Sequence, residues 1–281
     1  MKELCFYHSA DLDGHCSGAI VKRFHPDIEL IGINYGDKFP WGKVKNALVY
    51  MVDFSLQPFI EMERLFNEAH SVIWMDHHKS AIEEYEASNY KLDGIHRAIL
   101  IDGKAGCEIT WDFLYPTIPM PTAVRLLGRY DVWDHSDQKT MPFQWGMRMF
   151  DTFPDKYDWE NVFTNNDFLI HTLNTGKTLL EYRDMENLKY AKSCSFETEL
   201  DGLRCIAINK MLTNSQMFDS VWDKDKYDAM LTFGWRKGSW TVSLYSTKAK
   251  IDVSAIAKAR GGGGHKGAAG FQCSQLPFML V

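Results

Sequence analysis

Short apolar runs recur through the first half of the chain, and the residues that end them are polar. Leu4-Cys5-Phe6-Tyr7 leads into His8, Leu48-Val49-Tyr50-Met51-Val52 into Asp53, and Ser71-Val72-Ile73-Trp74-Met75 into Asp76-His77-His78. Runs of this length with polar borders read as buried strands. Residues 28–33 and 98–101 add two more. Between the runs the spacing turns helical. Cys16, Ala19, Ile20 and Phe24 share a face after Gly14, and Pro58 suits the first turn of a helix presenting Phe59, Met62, Phe66 and Ala69. Further helices are expected near 107–114 and 122–130. Up to about Asp134 this alternation predicts a mostly parallel sheet covered by helices.

The later pattern is different. Leu179, Leu180, Tyr182 and Leu188 among many charges suit an exposed amphipathic helix over 177–192. Residues 203–208, 229–233 and 240–245 read as strands, the last two joined by a turn at Arg236-Lys237-Gly238-Ser239. The expected fold is α/β, with a mostly parallel N-terminal catalytic domain over 1–165, a helical linker over 166–195 and a smaller α/β domain over 196–281. A chain of 281 residues has room for two such domains.

Composition narrows the class. With 45% hydrophobic and 24% charged residues, the chain reads as soluble and globular. No apolar run approaches the length needed to cross a bilayer, and Met1-Lys2-Glu3-Leu4 does not lead into a signal peptide, so a cytoplasmic location without a membrane partner is expected. Six cysteines without a CxxC pair suggest neither a structural zinc site nor a disulfide framework. A net charge of −6 argues against a broad cationic surface for long duplex DNA.

The strand ends carry the candidate chemistry, because open parallel sheets place ligands beyond the carboxyl ends of their strands. His8, Asp11 and Asp13 can face two adjacent cations from one loop, or Asp11 or Asp13 can simply cap the following helix. Asp53 alone would pass as a turn residue. Asp76-His77-His78 tips the balance toward a metal site, since adjacent histidines after a buried strand are unusual. Carboxylate and imidazole donors without thiolate favour Mn²⁺ or Mg²⁺, with Fe²⁺, Co²⁺ or Zn²⁺ as substitutes. Near the C-terminus, Gly261-Gly262-Gly263-Gly264-His265-Lys266 reads as a backbone cradle for an anion such as phosphate, with His265 adding a charge-assisted hydrogen bond. Trp133 and Trp145 either pack in the core or offer a surface on which a base can stack.

The H-x-x-D-x-D-G stretch from His8 to Gly14, Asp53 after its strand, Asp76-His77-His78, Asp131 in Arg129-Tyr130-Asp131-Val132-Trp133 and the terminal GGGGHKGAAG occur in order over the whole chain. Together they resemble the DHH phosphoesterase superfamily, in the branch whose C-terminal domain carries a GGGH motif. The resemblance implies one cation at His8, Asp11 and Asp53 and a second at Asp13, Asp53, His77 and Asp131, with Asp53 bridging. It implies that Asp76 orients a ligand, that His78 faces the substrate phosphate, and that Gly262, Gly263, Gly264 and His265 hold a terminal phosphate. The expected activity is metal-dependent hydrolysis of short single-stranded oligonucleotides or small nucleotides in a cleft between the two lobes. Two divalent cations about 3.5–4 Å apart, Mn²⁺ first, would activate water. A cyclic-dinucleotide phosphodiesterase or an adenosine bisphosphate phosphatase is the nearer alternative, and a non-catalytic nucleotide-binding protein the distant one. A homodimer is left open. One departure concerns substrate: Ser243-Leu244-Tyr245-Ser246 has Tyr245 where relatives often carry an Arg, and Lys248, Lys250 or Lys266 are candidates to compensate.

Overall fold

The computed structural model describes residues 1–279, with His265 described by its backbone alone. The chain divides into two units, Met1–Leu180 and Glu181–Val281. In the first the elements run β1 (Glu3–His8), α1 (Leu12–Phe24), β2 (Glu29–Ile33), α2 (Trp41–Val44), β3 (Leu48–Val52), α3 (Ile60–Glu68), β4 (Ser71–Asp76), α4 (Lys79–Ser88) and β5 (Arg97–Leu100). Then follow α5 (Gly106–Leu114), α6 (Thr122–Asp131), α7 (Thr140–Met147), α8 (Trp159–Thr164) and α9 (Asn166–Cys194). The unit boundary falls inside α9, which covers the stretch read as an amphipathic helix.

The first sheet has the order β2-β1-β3-β4-β5 and is parallel throughout. Its strands are apolar on both sides because both faces are covered. Leu4 and Phe6 pack with Met62, Leu65 and Phe66 of α3 on one face, while Cys5 and Tyr7 pack with Cys16, Ala19 and Ile20 of α1 and with Cys107 and Trp111 of α5 on the other. Full burial of such side chains contributes about 1.5–3 kcal/mol each. In this order β1 is flanked by β2 and β3, so the connections leave to opposite faces. A crevice therefore opens beyond the carboxyl ends of β1 and β3.

The second unit contains β6 (Ser195–Leu200), β7 (Leu203–Asn209), β8 (Ala229–Arg236), β9 (Ser239–Tyr245), α10 (Val253–Lys258), β10 (Gly263–His265) and β11 (Ala268–Cys273). They form a mixed sheet of order β10-β11-β9-β8-β7-β6. The β8–β9 turn is where the sequence puts it, with Lys237 and Gly238 at φ 49° and 87°, as a two-residue hairpin requires. Part of the glycine run is a strand, because Gly263, Gly264 and His265 pair antiparallel with Gly270, Ala269 and Ala268. Val242 and Leu244 of β9 pack with Val253 and Ala257 of α10 in this unit's main core.

Candidate metal centre

Three loops of the first unit deliver the polar groups. After β1 the chain turns sharply into α1, and this needs Gly14: a Cβ there would lie 2.0 Å from the His8 carbonyl oxygen. Asp11 caps α1, its Oδ1 accepting the Gly14 amide at 3.0 Å, while its Oδ2 lies 3.0 Å from His8 Nδ1. Capping and ligand presentation are thus compatible in one carboxylate. Asp13 is buried, and its two oxygens accept the Gly106 and Cys107 amides at 2.8 and 2.9 Å. Those amides open α5, where the helix dipole favours an anion.

Asp53 directly follows β3, with φ 52°, and is 1% exposed. Its Oδ2 lies 3.6 Å from His8 Nδ1 and its Oδ1 lies 3.1 Å from His77 Nε2. His77 Nε2 is also 3.6 Å from Asp13 Oδ2 and 3.2 Å from Asp131 Oδ2. The donor atoms group as His8, Asp11 and Asp53, as Asp13, His77 and Asp131, and as Asp53, His77 and His78, each set within 4.8 Å. His8, Asp11, Asp13, Asp53, His77, His78 and Asp131, all singled out in the sequence, are therefore brought together.

Asp76, fully buried, works at one remove. Its Oδ1 accepts the His77 and His78 amides at 2.7 and 3.1 Å and faces His78 Nδ1 at 2.7 Å. It fixes the His78 ring directly and His77 through the backbone.

The crowding of charge in this pocket suits a cation. Burial and the neighbouring Asp53 push Asp13 well above the carboxylate range, and burial with Asp13 raises Asp131 to about 7. Burial would lower His8 and His77, yet the adjoining carboxylates outweigh it and raise each to about 10. His8 Nδ1 and Asp53 Oδ1 are buried without a well-formed hydrogen bond. Buried like charges and orphaned donor atoms are relieved by a divalent ion, and oxygen with imidazole donors suits a borderline or hard one. The residues fit such a group.

Two neighbours escaped the sequence reading. Tyr35, just past β2 and 42% exposed, has its ring 5.8 Å from His8 and 6.4 Å from His78. Its place after a strand of the same parallel sheet was the available signal. Gly106 escaped too: a Cβ there would lie 2.6 Å from Asp53 Cβ. Trp133, two residues past Asp131, is 54% exposed at φ 60° with its ring 4.5 Å from His135. It is not a core residue. Trp145 is half-buried, with the Arg148 guanidinium 4.9 Å from its ring.

The second unit holds the remaining candidates. The Gly262 amide donates to Ala257 O at 2.9 Å, and Gly263 and Gly264 lie on the edge strand β10. The His265 side chain lies outside the described residues. Tyr245 Oη donates to Thr213 O at 3.2 Å, and Lys248 Nζ pairs with Asp228 at 2.7 Å, so neither group is uncommitted. Lys250 and Lys266 are exposed.

Fold and site define a class: an α/β protein with a parallel sheet, acidic and imidazole clusters able to hold a metal ion at its switch point, and a second unit on a mixed sheet. No family model matches the chain. It is 28% identical over 261 residues to uncharacterized protein R106 of Acanthamoeba polyphaga mimivirus, covering 85% of this chain and 57% of that protein. It is 25% identical over 290 residues to oligoribonuclease NrnB of Bacillus subtilis, covering 94% and 71%. The chain thus spans little more than half the length of the first of these relatives. Among solved structures it shares its fold with the pGpG-specific phosphodiesterase PggH of Vibrio cholerae, at TM-score 0.52, 11% identity and coverage of 97% and 93%. The exonuclease RecJ bound to manganese gives TM-score 0.50, 15% identity and coverage of 96% and 85%. The likeness to an oligoribonuclease is in keeping with the resemblance to the DHH phosphoesterase superfamily that the motifs carry.

Proposed function

We propose that the protein is a divalent-metal-dependent hydrolase of phosphodiester bonds in short single-stranded oligonucleotides or small nucleotides. The observation that carries this reading is the split Asp53 carboxylate, one oxygen toward His8 and the other toward His77. In it, His8, Asp11 and Asp53 hold one cation, and Asp13, Asp53, His77 and Asp131 the other. Manganese is favoured by the mixed donor set and by the ion named with RecJ. Divalent cations bound there supply an acidified water and neutralise charge on the phosphoryl oxygens.

The protein's own groups do the rest. Asp13 is fixed by the α5 amides, so it keeps its direction as charge changes nearby. Asp76 engages His78 Nδ1, which leaves Nε2 for the substrate; the carboxylate raises the His78 pKa against the opposing effect of burial, so the ring can donate to a phosphate oxygen. Trp133 offers an exposed ring for a base next to Asp131. His265 and the glycine run, in this reading, hold a terminal phosphate and favour short substrates with a free end.

Product analysis of a labelled five-nucleotide RNA with and without Mn²⁺ tests the proposal. The expected result is Mn²⁺-dependent shortening to mononucleotides. No cleavage of RNA, or of pGpG, a cyclic dinucleotide and an adenosine bisphosphate run beside it, would sink it. Because NrnB is named an oligoribonuclease and PggH a pGpG-specific phosphodiesterase, RNA and pGpG are the first substrates to try.

A further inference from the structure

The second unit contains a cavity of about 570 Å³ that takes no part in the metal centre. Its floor is the face of the mixed sheet turned away from α10. In register across β8, β9 and β11, Thr232, Ser243 and Gly270 form one row, and Gly234, Thr241 and Gln272 form the next. Hydroxyl, amide and bare backbone make this floor a hydrogen-bonding surface with little bulk.

One wall is the segment 210–214. Met211 lies over the sheet so closely that a Cβ on Gly234 would come within 2.2 Å of its Cγ. Leu212 stands beside it at φ 55° and 96% exposed, a strained backbone carrying an apolar side chain into solvent. The Tyr245 hydroxyl ties this segment to β9 through the Thr213 carbonyl.

The rim is one-signed. Lys210, Arg236 and Lys237 line the cavity, and among the described residues no carboxylate does. An ordinary solvated sheet face in a chain of net charge −6 would mix both signs. The volume is that of a pocket for a nucleotide-sized ligand.

We infer that this groove binds a phosphate-bearing stretch of single-stranded nucleic acid. The rim cations take phosphates, the hydroxyls and Gln272 meet sugar or base edges, and Met211 with Leu212 gives a base an apolar contact. The inference rests on the reading of the substrate as a short oligonucleotide, and it concerns a surface apart from the metal ligands and the glycine run.

The test uses the full-length chain in EDTA, so that neither cleavage nor bound metal contributes. Binding of a fluorescein-labelled five-nucleotide RNA is measured by anisotropy over a range of salt. Arg236→Ala with Lys237→Ala alters only exposed positions at a hairpin turn, and Gln272→Glu places a carboxylate on an exposed part of the floor. The double variant should bind at least about tenfold more weakly, and its slope of log K against log salt should fall by about 1.4, roughly 0.7 for each lost phosphate contact. Gln272→Glu should weaken binding several-fold. Wild-type affinity and slope in both variants, or no measurable binding by the wild type, would overturn the inference. Hydrolysis of bis-nitrophenyl phosphate with Mn²⁺ should be unchanged in both variants. Its absence from the wild type would count against the phosphoesterase reading and leave the binding result to stand by itself.

Discussion

Asp53 Oδ1 lies 3.1 Å from His77 Nε2, and the backbone that aims it there has φ 52°. An aspartate held buried in the left-handed region marks a site where direction outweighs local strain. Asp53→Asn should therefore abolish turnover and erase the thermal shift produced by Mn²⁺. At a hundredfold excess of metal over its dissociation constant the wild type gains about 2.7 kcal/mol. Ser55→Ala, a buried neighbour, should keep that shift. Equal shifts in wild type and Asp53→Asn would refute the assignment.

Trp133→Ala should raise KM for a dinucleotide by about five- to a hundredfold, since a base stacked on an aromatic ring is worth about 1–3 kcal/mol. With the ring 54% exposed, stability should change little. Bis-nitrophenyl phosphate, which has no base, should be hydrolysed at a similar rate. Steady-state kinetics on both substrates decide the matter: an unchanged dinucleotide KM would remove the stacking role.

His265→Ala should leave the Mn²⁺-induced thermal shift intact and lower kcat/KM for 5′-phosphorylated RNA by roughly ten- to a hundredfold, the cost of about 1.5–3 kcal/mol for one charge-assisted contact. His77→Ala should remove activity on every substrate. If His265→Ala also strips manganese from the protein, the division of roles between metal ligands and glycine run is wrong.

Acid should loosen the second unit through Asp228. Lys248 at 2.7 Å, then Arg204 at 3.3 Å, hold its carboxyl far below the usual range. A carboxylate depressed in the folded state stabilises above its unfolded pKa of about 4 and loses that stabilisation as pH falls toward its folded value. The melting temperature should therefore drop below about pH 4, and less steeply in Asp228→Asn. Parallel acid limbs in the two proteins would show that the pair contributes nothing.

Strand-end chemistry is legible in the sequence because a parallel sheet needs apolar runs that stop abruptly, and His8, Asp53 and Asp76 are those stops. The rest depends on partners distant in the chain. Asp13 finds its amides at Gly106, 93 residues on, and no local pattern announces that contact. Strand β6 escaped because Glu197 and Glu199 dilute its alternation, as befits a sheet edge. Strand β10 escaped for the opposite reason, since its glycines carry no side-chain pattern at all. The exposure of Trp133 was undecidable, because a tryptophan at the end of a helix fits core and surface equally well by spacing alone.

Gly14 and Gly106 give the centre a second, purely geometric vulnerability. Each omits a methyl group that would fall within 2.0 Å of the His8 carbonyl oxygen or 2.6 Å of the Asp53 Cβ. A chain carrying alanine at either position would keep its whole donor inventory and still be unable to bring the donors to a common point. An intact set of motif letters is therefore not sufficient to infer a working centre in a relative of this protein. The two positions where nothing is written beyond the backbone must be inspected as closely as the aspartates and histidines themselves.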